Sequence, residues 1–151
     1  MTATVGRAFP RLAALYVVAI LFNYGWELAQ SGLFVPRENS GNVWWHCFVA
    51  SLGDGFLIWV IHAVGWSAFR RQDWFERSGG AGYALTVVSG VLIAIAVEWV
   101  AVHVLHRWAY AATMPIVPGL RIGLVPVLQM LILPVATFQI VANWIRRRRI
   151  K

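Results

Sequence analysis

The chain has 151 residues, of which 60% are hydrophobic and 13% charged, and its mean hydropathy is +0.66. Soluble domains carry about 25% charged residues, so too few polar groups are present to coat a surface that faces water. The formal net charge of +7 would suit a nucleic-acid binder, but the basic residues flank apolar segments and form no face interleaved with aromatics, which argues against that partner and for membrane topology.

Residues 1–11 form a short lead with Arg7, Pro10 and Arg11. An apolar span follows over residues 12–34, close to the ~20 residues that a bilayer requires. Its core leads straight into Asn23, Trp26 and Glu27, and Ala29-Gln30-Ser31 is a poor small-x-small cleavage site, so the segment is expected to stay as a span. Residues 35–43 hold Pro36, Asn39, Ser40, Gly41 and Asn42, which is turn chemistry. The second span, 44–66, opens on a Trp pair and closes on Trp66, an aromatic belt at each end. Gly53 and Gly55 flank Asp54 and predict close approach of a neighbouring helix.

Residues 67–80 are polar, with Trp74 and Phe75 among them, and predict a short interfacial helix. The third span covers 82–106, with Ser89-Gly90 and Ala94/Ala96 as small packing positions. The segment 107–122 is broken by Met114-Pro115 and Val117-Pro118-Gly119. It is apolar enough to fold back onto the bundle. The last span, 123–145, carries Pro126 and Pro134 on either side of Gln129, which should kink it. The chain ends in Arg146–Arg149 and Lys151.

The fold class that follows is an all-α integral membrane protein, a four-helix transmembrane bundle in one domain. With both termini in the cytoplasm, ten basic residues lie inside and only Arg37, Arg107 and Arg121 outside, out of 13, as the positive-inside rule requires. The expected location is a bacterial inner membrane.

Three acids, Glu38, Asp73 and Glu76, fall in connecting segments. The other three, Glu27, Asp54 and Glu98, occupy one span each. A carboxylate at mid-helix costs roughly 2.5–3.5 kcal/mol on insertion scales, so these residues need partners or a purpose. Asn23, Glu27 and Gln30 sit at i, i+4 and i+7 and share one helix face, which Tyr16 extends. Depth counted along each span puts Glu27, Glu98 and Gln129 ~6 Å to the outer side of the midplane, with Asp54 near it. Polar residues in membrane helices also serve as interhelical glue at about 0.6 kcal/mol each. That account suits Asn23, Gln129 and Ser51, but glue does not require a carboxyl group.

The expected function is a membrane-embedded enzyme acting on an apolar or isoprenoid-like lipid by carboxyl acid/base chemistry: isomerisation, cyclisation or hydration. Glu27 and Glu98 would be the principal acid/base pair and Asp54 the third catalytic member. Asn23, Gln30, His46 and Gln129 would orient the substrate, and Trp26, Trp108 and Tyr110 would supply aromatic cover from the span and the outer loop. The alternatives are a small proton- or cation-coupled transporter and a non-catalytic lipid-binding membrane subunit. His62 reads as structural. His103 and His106, at i and i+3, read as a solvated helix end more readily than as a two-ligand clip. No C-x-x-C, H-E-x-x-H or H-x-x-x-H spacing occurs, so no metal and no other cofactor is expected. The lone Cys47 excludes an intramolecular disulfide. The expected partners are membrane lipids and an apolar small-molecule ligand, without nucleic acid; homo-oligomerisation is compatible with the pattern, and a four-helix transporter would need it.

Overall fold

A backbone without water to bond to has to bond to itself, and the four apolar stretches do so as helices. In the computed structural model, which describes residues 2–35 and 42–149 with side chains from residue 9 onward, these are α1 (Thr2–Gln30), α2 (Val43–Phe69), α3 (Gly79–Trp99) and α4 (Leu124–Arg149). The turn expected over 35–43 falls largely on residues 36–41, outside the described residues, as do Arg37, Glu38 and Lys151. A 3-10 turn, Ser31–Leu33, prolongs α1, and a π-helical turn, Val100–Val104, prolongs α3. The candidate spans Phe9–Leu33, Val43–Phe69, Gly79–Val104 and Leu124–Arg149 hold 25–27 residues each. At ~1.5 Å per residue each exceeds the ~30 Å hydrocarbon thickness. They are long and apolar enough to cross a membrane. Val17, Leu21, Phe56, Val88 and Leu92 are exposed on their outward faces, as a lipid solvent would have it.

The helices pack as a bundle in which α1 lies chiefly against α2 and α4, and α3 against α4. They run further than the apolar lengths predict. α1 is helical from Thr2 and passes through Pro10, so the short lead before the first span is part of the same helix. Hydropathy marks where a span must be apolar, not where hydrogen bonding stops. α2 continues to Phe69 and ends only at Arg70, whose φ of 55° is left-handed. α4 is likewise one helix to Arg149 with Pro134 inside it. Pro126 lies in its first turn, where the missing N–H would have had no helical acceptor.

Residues 67–80 correct the expectation of a helix lying in the interface. Between the end of α2 and the start of α3 only Trp74–Arg77 is helical, as a single 3-10 turn, and Trp74, Phe75 and Glu76 are all buried. The Trp74 ring rests on α2 at Gly65, where an added Cβ would come within 2.2 Å of it, and Trp74 Nε1 donates to the His62 carbonyl at 3.1 Å. Phe138 meets both Trp74 and Phe75 with ring centroids 5.2 and 5.5 Å away. His62 Nε2 lies 2.9 Å from the Gln72 carbonyl, which fits its structural assignment. Glu76 pairs with Arg11 of α1 at 3.2 Å and Arg149 of α4 at 3.0 Å. Two helix ends are thereby clamped to the α2–α3 connection, and this end of the bundle is called the basic end below.

The core lies in the half nearer that end: Leu15, Ala19, Ile58, Ile61 and Val141 are at most 1% exposed. Small residues set the helix separations, as expected where no hydrophobic effect draws helices together. Of the pair flanking Asp54, only Gly55 is in contact, its would-be Cβ 2.8 Å from the Tyr16 ring, while Gly53 faces open space. Gly90 of α3 is the tightest approach. A Cβ there would sit 2.2 Å from the Met130 carbonyl oxygen. That carbonyl's helical donor would have been the N–H of residue 134, which proline lacks, and α3 fills the place with a Cα–H group.

Gly90→Ala therefore sets a backbone clash against a gain in helix propensity. Overpacking costs about 1–3 kcal/mol and propensity returns about 0.5–1 kcal/mol, so the variant should unfold more readily in detergent titration. Gly53→Ala should be neutral or stabilising in the same titration. Equal behaviour of the two would refute the close approach.

Candidate functional site

The polar residues of the spans meet in the half of the bundle away from the basic end. The helical period brings Asn23, Glu27 and Gln30 onto the inner face of α1. Gly55 lets α1 settle against α2, which carries the adjacent Asp54 toward the same face. Gln129 enters from α4 one turn after Pro126. Its Nε2 donates to Asn23 Oδ1 at 2.8 Å, Asp54 Oδ2 at 3.0 Å and Glu27 Oε1 at 3.1 Å. Gln30 Nε2 donates to Glu27 Oε1 at 2.8 Å and to Gln129 Oε1 at 3.0 Å. The Asn23 amide nitrogen is taken by the Ala19 carbonyl at 2.8 Å. Five side chains from three helices thus form one connected network, in which Asn23, Gln30 and Gln129 are at most 4% exposed and Glu27 and Asp54 are half-buried.

Glu98 forms a second centre beside it. It is buried in the last turn of α3, and its Oε2 accepts from the Tyr110 hydroxyl in a short bond and from Trp108 Nε1 at 3.4 Å. The π-helical turn makes this return contact. Leu105 N bonds Val100 O at 2.9 Å and Arg107 N bonds Ala101 O at 2.8 Å, which widens the helix end. His106, at a φ of 48°, then turns the chain back over Glu98. π-turns of this kind recur at functional sites. Burial, followed by the Glu98 carboxyl beside it, pushes the Tyr110 hydroxyl well above its ordinary pKa, so Tyr110 is held as a donor.

The segment 107–122 is docked, as its apolar character predicts. Tyr110 bridges Phe34 in an antiparallel pair, Val35 N bonds Ala109 O at 2.9 Å and Ala111 N bonds Leu33 O at 2.9 Å. Further on, β1 (Ile116–Val117) and β2 (Ile122–Gly123) form a two-stranded hairpin with Ile122 fully buried. The Tyr110 ring lies on Gly123, where an added Cβ would be 3.0 Å away.

Eight of the ten residues singled out from the sequence therefore fall in the two centres: Asn23, Glu27, Gln30, Asp54 and Gln129 in one, Glu98, Trp108 and Tyr110 in the other. Trp26 is half-buried near them, and its Nε1 is buried without a hydrogen-bond partner among the described residues, as is Gln30 Oε1. His46 is exposed on the first turn of α2, 3.3 Å from the Asn42 carbonyl, and joins neither centre. Tyr16, placed on the polar stripe by spacing, bonds the Leu52 carbonyl instead and stacks on Trp59. His103 and His106 each face a backbone carbonyl, and no group of three His, Cys, Asp or Glu among the described residues is arranged to hold a metal ion. One contributor was not foreseen: Phe34, which fixes the segment that carries Trp108 and Tyr110.

No family model, characterised relative or solved structure matches the chain. The chemistry has to come from the donor count. A carboxamide offers two N–H groups, and the one on Gln129 faces three oxygens, so one bond is shared. The first centre holds more acceptor positions than donors. The shortfall is met by protons on the carboxyls or by donors on a ligand.

Gln129→Leu removes the shared donor and leaves buried oxygens without partners. The expected loss is about 1–3 kcal/mol of unfolding free energy, read in detergent or bicelle titration. A loss below about 0.6 kcal/mol, the average for an interhelical hydrogen bond, would show that Gln129 does not hold the helices together.

Proposed function

We propose that this chain is a membrane-embedded enzyme that performs proton chemistry on an apolar, isoprenoid-like lipid, by isomerisation, cyclisation or hydration of a double bond. The observation that carries the reading is the pairing of two carboxyl centres with different donors in one layer. Glu27 and Asp54 share carboxamide donors, while Glu98 is held by a phenol and an indole. Such a difference is what lets one carboxyl give a proton and another take one.

Trp26 Nε1 and Gln30 Oε1, a donor and an acceptor four residues apart on α1, have no hydrogen-bond partner among the described residues and suit the hydroxyl or carbonyl end of a substrate. Phe34, Trp108 and Tyr110 supply aromatic faces above it, which favour a developing cation. The positive-inside rule puts the basic end in the cytoplasm and the carboxyl layer in the outer half of the bilayer.

A transporter reading is weaker on one observation. Toward the basic end the network gives way to Leu15, Ala19, Ile58 and Ile61, all fully buried, among which the buried polar side chains Thr86 and Thr137 carry no charge. A lipid-binding subunit without turnover is favoured by another: the polar side chains already bond one another, so a substrate enters only when Tyr110 and Trp108 leave Glu98.

The test is solvent-deuteron incorporation. Protein in nanodiscs is incubated in heavy water with unsaturated isoprenoid alcohols and sterols, and the lipids are read by mass spectrometry. The expected product carries one carbon-bound deuteron. Glu27→Gln and Glu98→Gln should each lower its rate by at least ~100-fold, the lower end of general acid–base contributions. Full rates in both variants would refute the assignment, and lipid retention without exchange would favour the binding subunit.

A further inference from the structure

The basic end holds a feature that the carboxyl layer does not use. A cavity of about 220 Å³ opens beside the 3-10 turn, between the start of α3 and the last turns of α4. Its polar wall includes Arg77, Ser78, Asn143 and Arg146, and its apolar wall Phe75, Val135 and Phe138. The volume lies below the ~300–1,000 Å³ of pockets that enclose whole drug-sized ligands. It suits one polar group with the rest of the molecule outside.

The charge of that wall is positive. Glu76 also lines the cavity, but its two oxygens face Arg11 and Arg149. Arg77 and Arg146 are exposed, and neither is ion-paired among the described residues. Arg146 is held by Asn143 Oδ1, which fixes one edge of its guanidinium and leaves the other for a ligand. α3, 21 residues long, starts at this wall, and Ser78 makes no side-chain cap, so first-turn N–H groups and the positive end of the helix add to the arginines.

Two further observations point to a headgroup and not to a bare surface charge. Glu76 is 4% exposed, and its Oε1, 3.2 Å from Arg11 Nε, makes no hydrogen bond among the described residues, so one acceptor position of this ion-paired oxygen is left beside the arginines. Along the wall the lining changes from charged to aromatic and aliphatic, as a molecule with a polar head and an apolar tail requires. The end of the bundle at which basic residues meet apolar helix faces is also where a lipid headgroup lies.

We infer that this cavity binds a phosphoryl group: two arginines take the phosphate oxygens, and Glu76 Oε1 accepts from a neighbouring hydroxyl or ammonium donor. Its source is a phospholipid whose chains run along α3 and α4 at Tyr83 and Val135. Guanidinium pairs suit phosphate because they offer parallel donors in a plane. The inference is independent of the chemistry of the carboxyl layer.

Native mass spectrometry and thermal unfolding of the purified full chain test it, with phosphatidylglycerol, phosphatidylcholine and inorganic phosphate as probes. The wild type should retain phosphatidylglycerol, with phosphatidylcholine weaker for want of a headgroup donor. The double variant Arg77→Gln/Arg146→Gln should lower that retention at least tenfold. Arg121→Gln, which removes one positive charge at the opposite end, should leave it unaltered and shows whether loss of charge anywhere on the chain matters. Inorganic phosphate that stabilises the wild type but not the double variant, without lipid retention, supports the phosphoryl site with the free ion as its source. Equal binding of every probe by wild type and double variant overturns the inference, as does an equal loss in Arg121→Gln.

Discussion

Gln129 reaches more of the bundle than any other polar side chain. Its Nε2 touches α1 twice and α2 once, and its Oε1 takes a bond from α1 again. In water such an arrangement would be unremarkable, because every oxygen has a solvent molecule in reserve. Within a bilayer the alternative to these bonds is an unsatisfied group. Three helix faces are therefore bound to the position of one carboxamide. Asn23 and Gln30 each close one side of it. The carboxyls of Glu27 and Asp54 are held where a donor is shared, so their environment responds to anything that brings a new donor near.

The rest of the fold keeps that layer in place by different means at each end. At the basic end Glu76 is almost fully buried between Arg11 and Arg149, and an aromatic group of Trp74, Phe75 and Phe138 fills the space beneath. A buried ion pair contributes little over an apolar core of the same shape, but removal of one partner leaves an uncompensated charge. The triad therefore ties the ends of α1 and α4 to the α2–α3 connection. In the middle, Gly90 against Met130 O and Gly55 against Tyr16 fix the helix separations. At the far end, the strand-like pairing of Phe34 with Tyr110 closes the bundle.

The long helices, their number and the partners of the carboxyls were legible because hydropathy and the 3.6-residue period encode them directly. Asn23, Glu27 and Gln30 share a face by arithmetic, and the depth count that aligned Glu98 and Gln129 with Glu27 needed only the rise per residue. The shortfalls have physical causes. Glu76 looked like a loop residue because charge marks solvent in most contexts; the adjoining Trp74-Phe75 pair was the available signal that this connection turns inward. His46 sits at the right height but on an exposed face, and depth says nothing about azimuth. The pairing of Phe34 and Tyr110 spans 76 positions, and no local pattern reports a contact of that range. The extended preference of the residues before Pro36 is a hint of a strand, but not of its partner.

The π-helical turn gives the two ends of the layer different freedoms. Glu27, Asp54 and Gln129 sit on long helices packed on several sides. Glu98 takes its donors from Trp108 and Tyr110, which lie on a segment held by a few backbone bonds to Leu33, Phe34 and Val35. Loss of those bonds would release Glu98 directly and would reach the Gln129 network only through the end of α1. Because the same bonds continue from Gln30 through the 3-10 turn, whatever displaces the outer segment also acts on the end of α1. That links the segment carrying Trp108 and Tyr110 to the carboxyl of Glu27 through a chain of eight residues, Glu27 to Phe34, with Gln30 at its centre. A ligand entering beside Trp26 would meet that chain first.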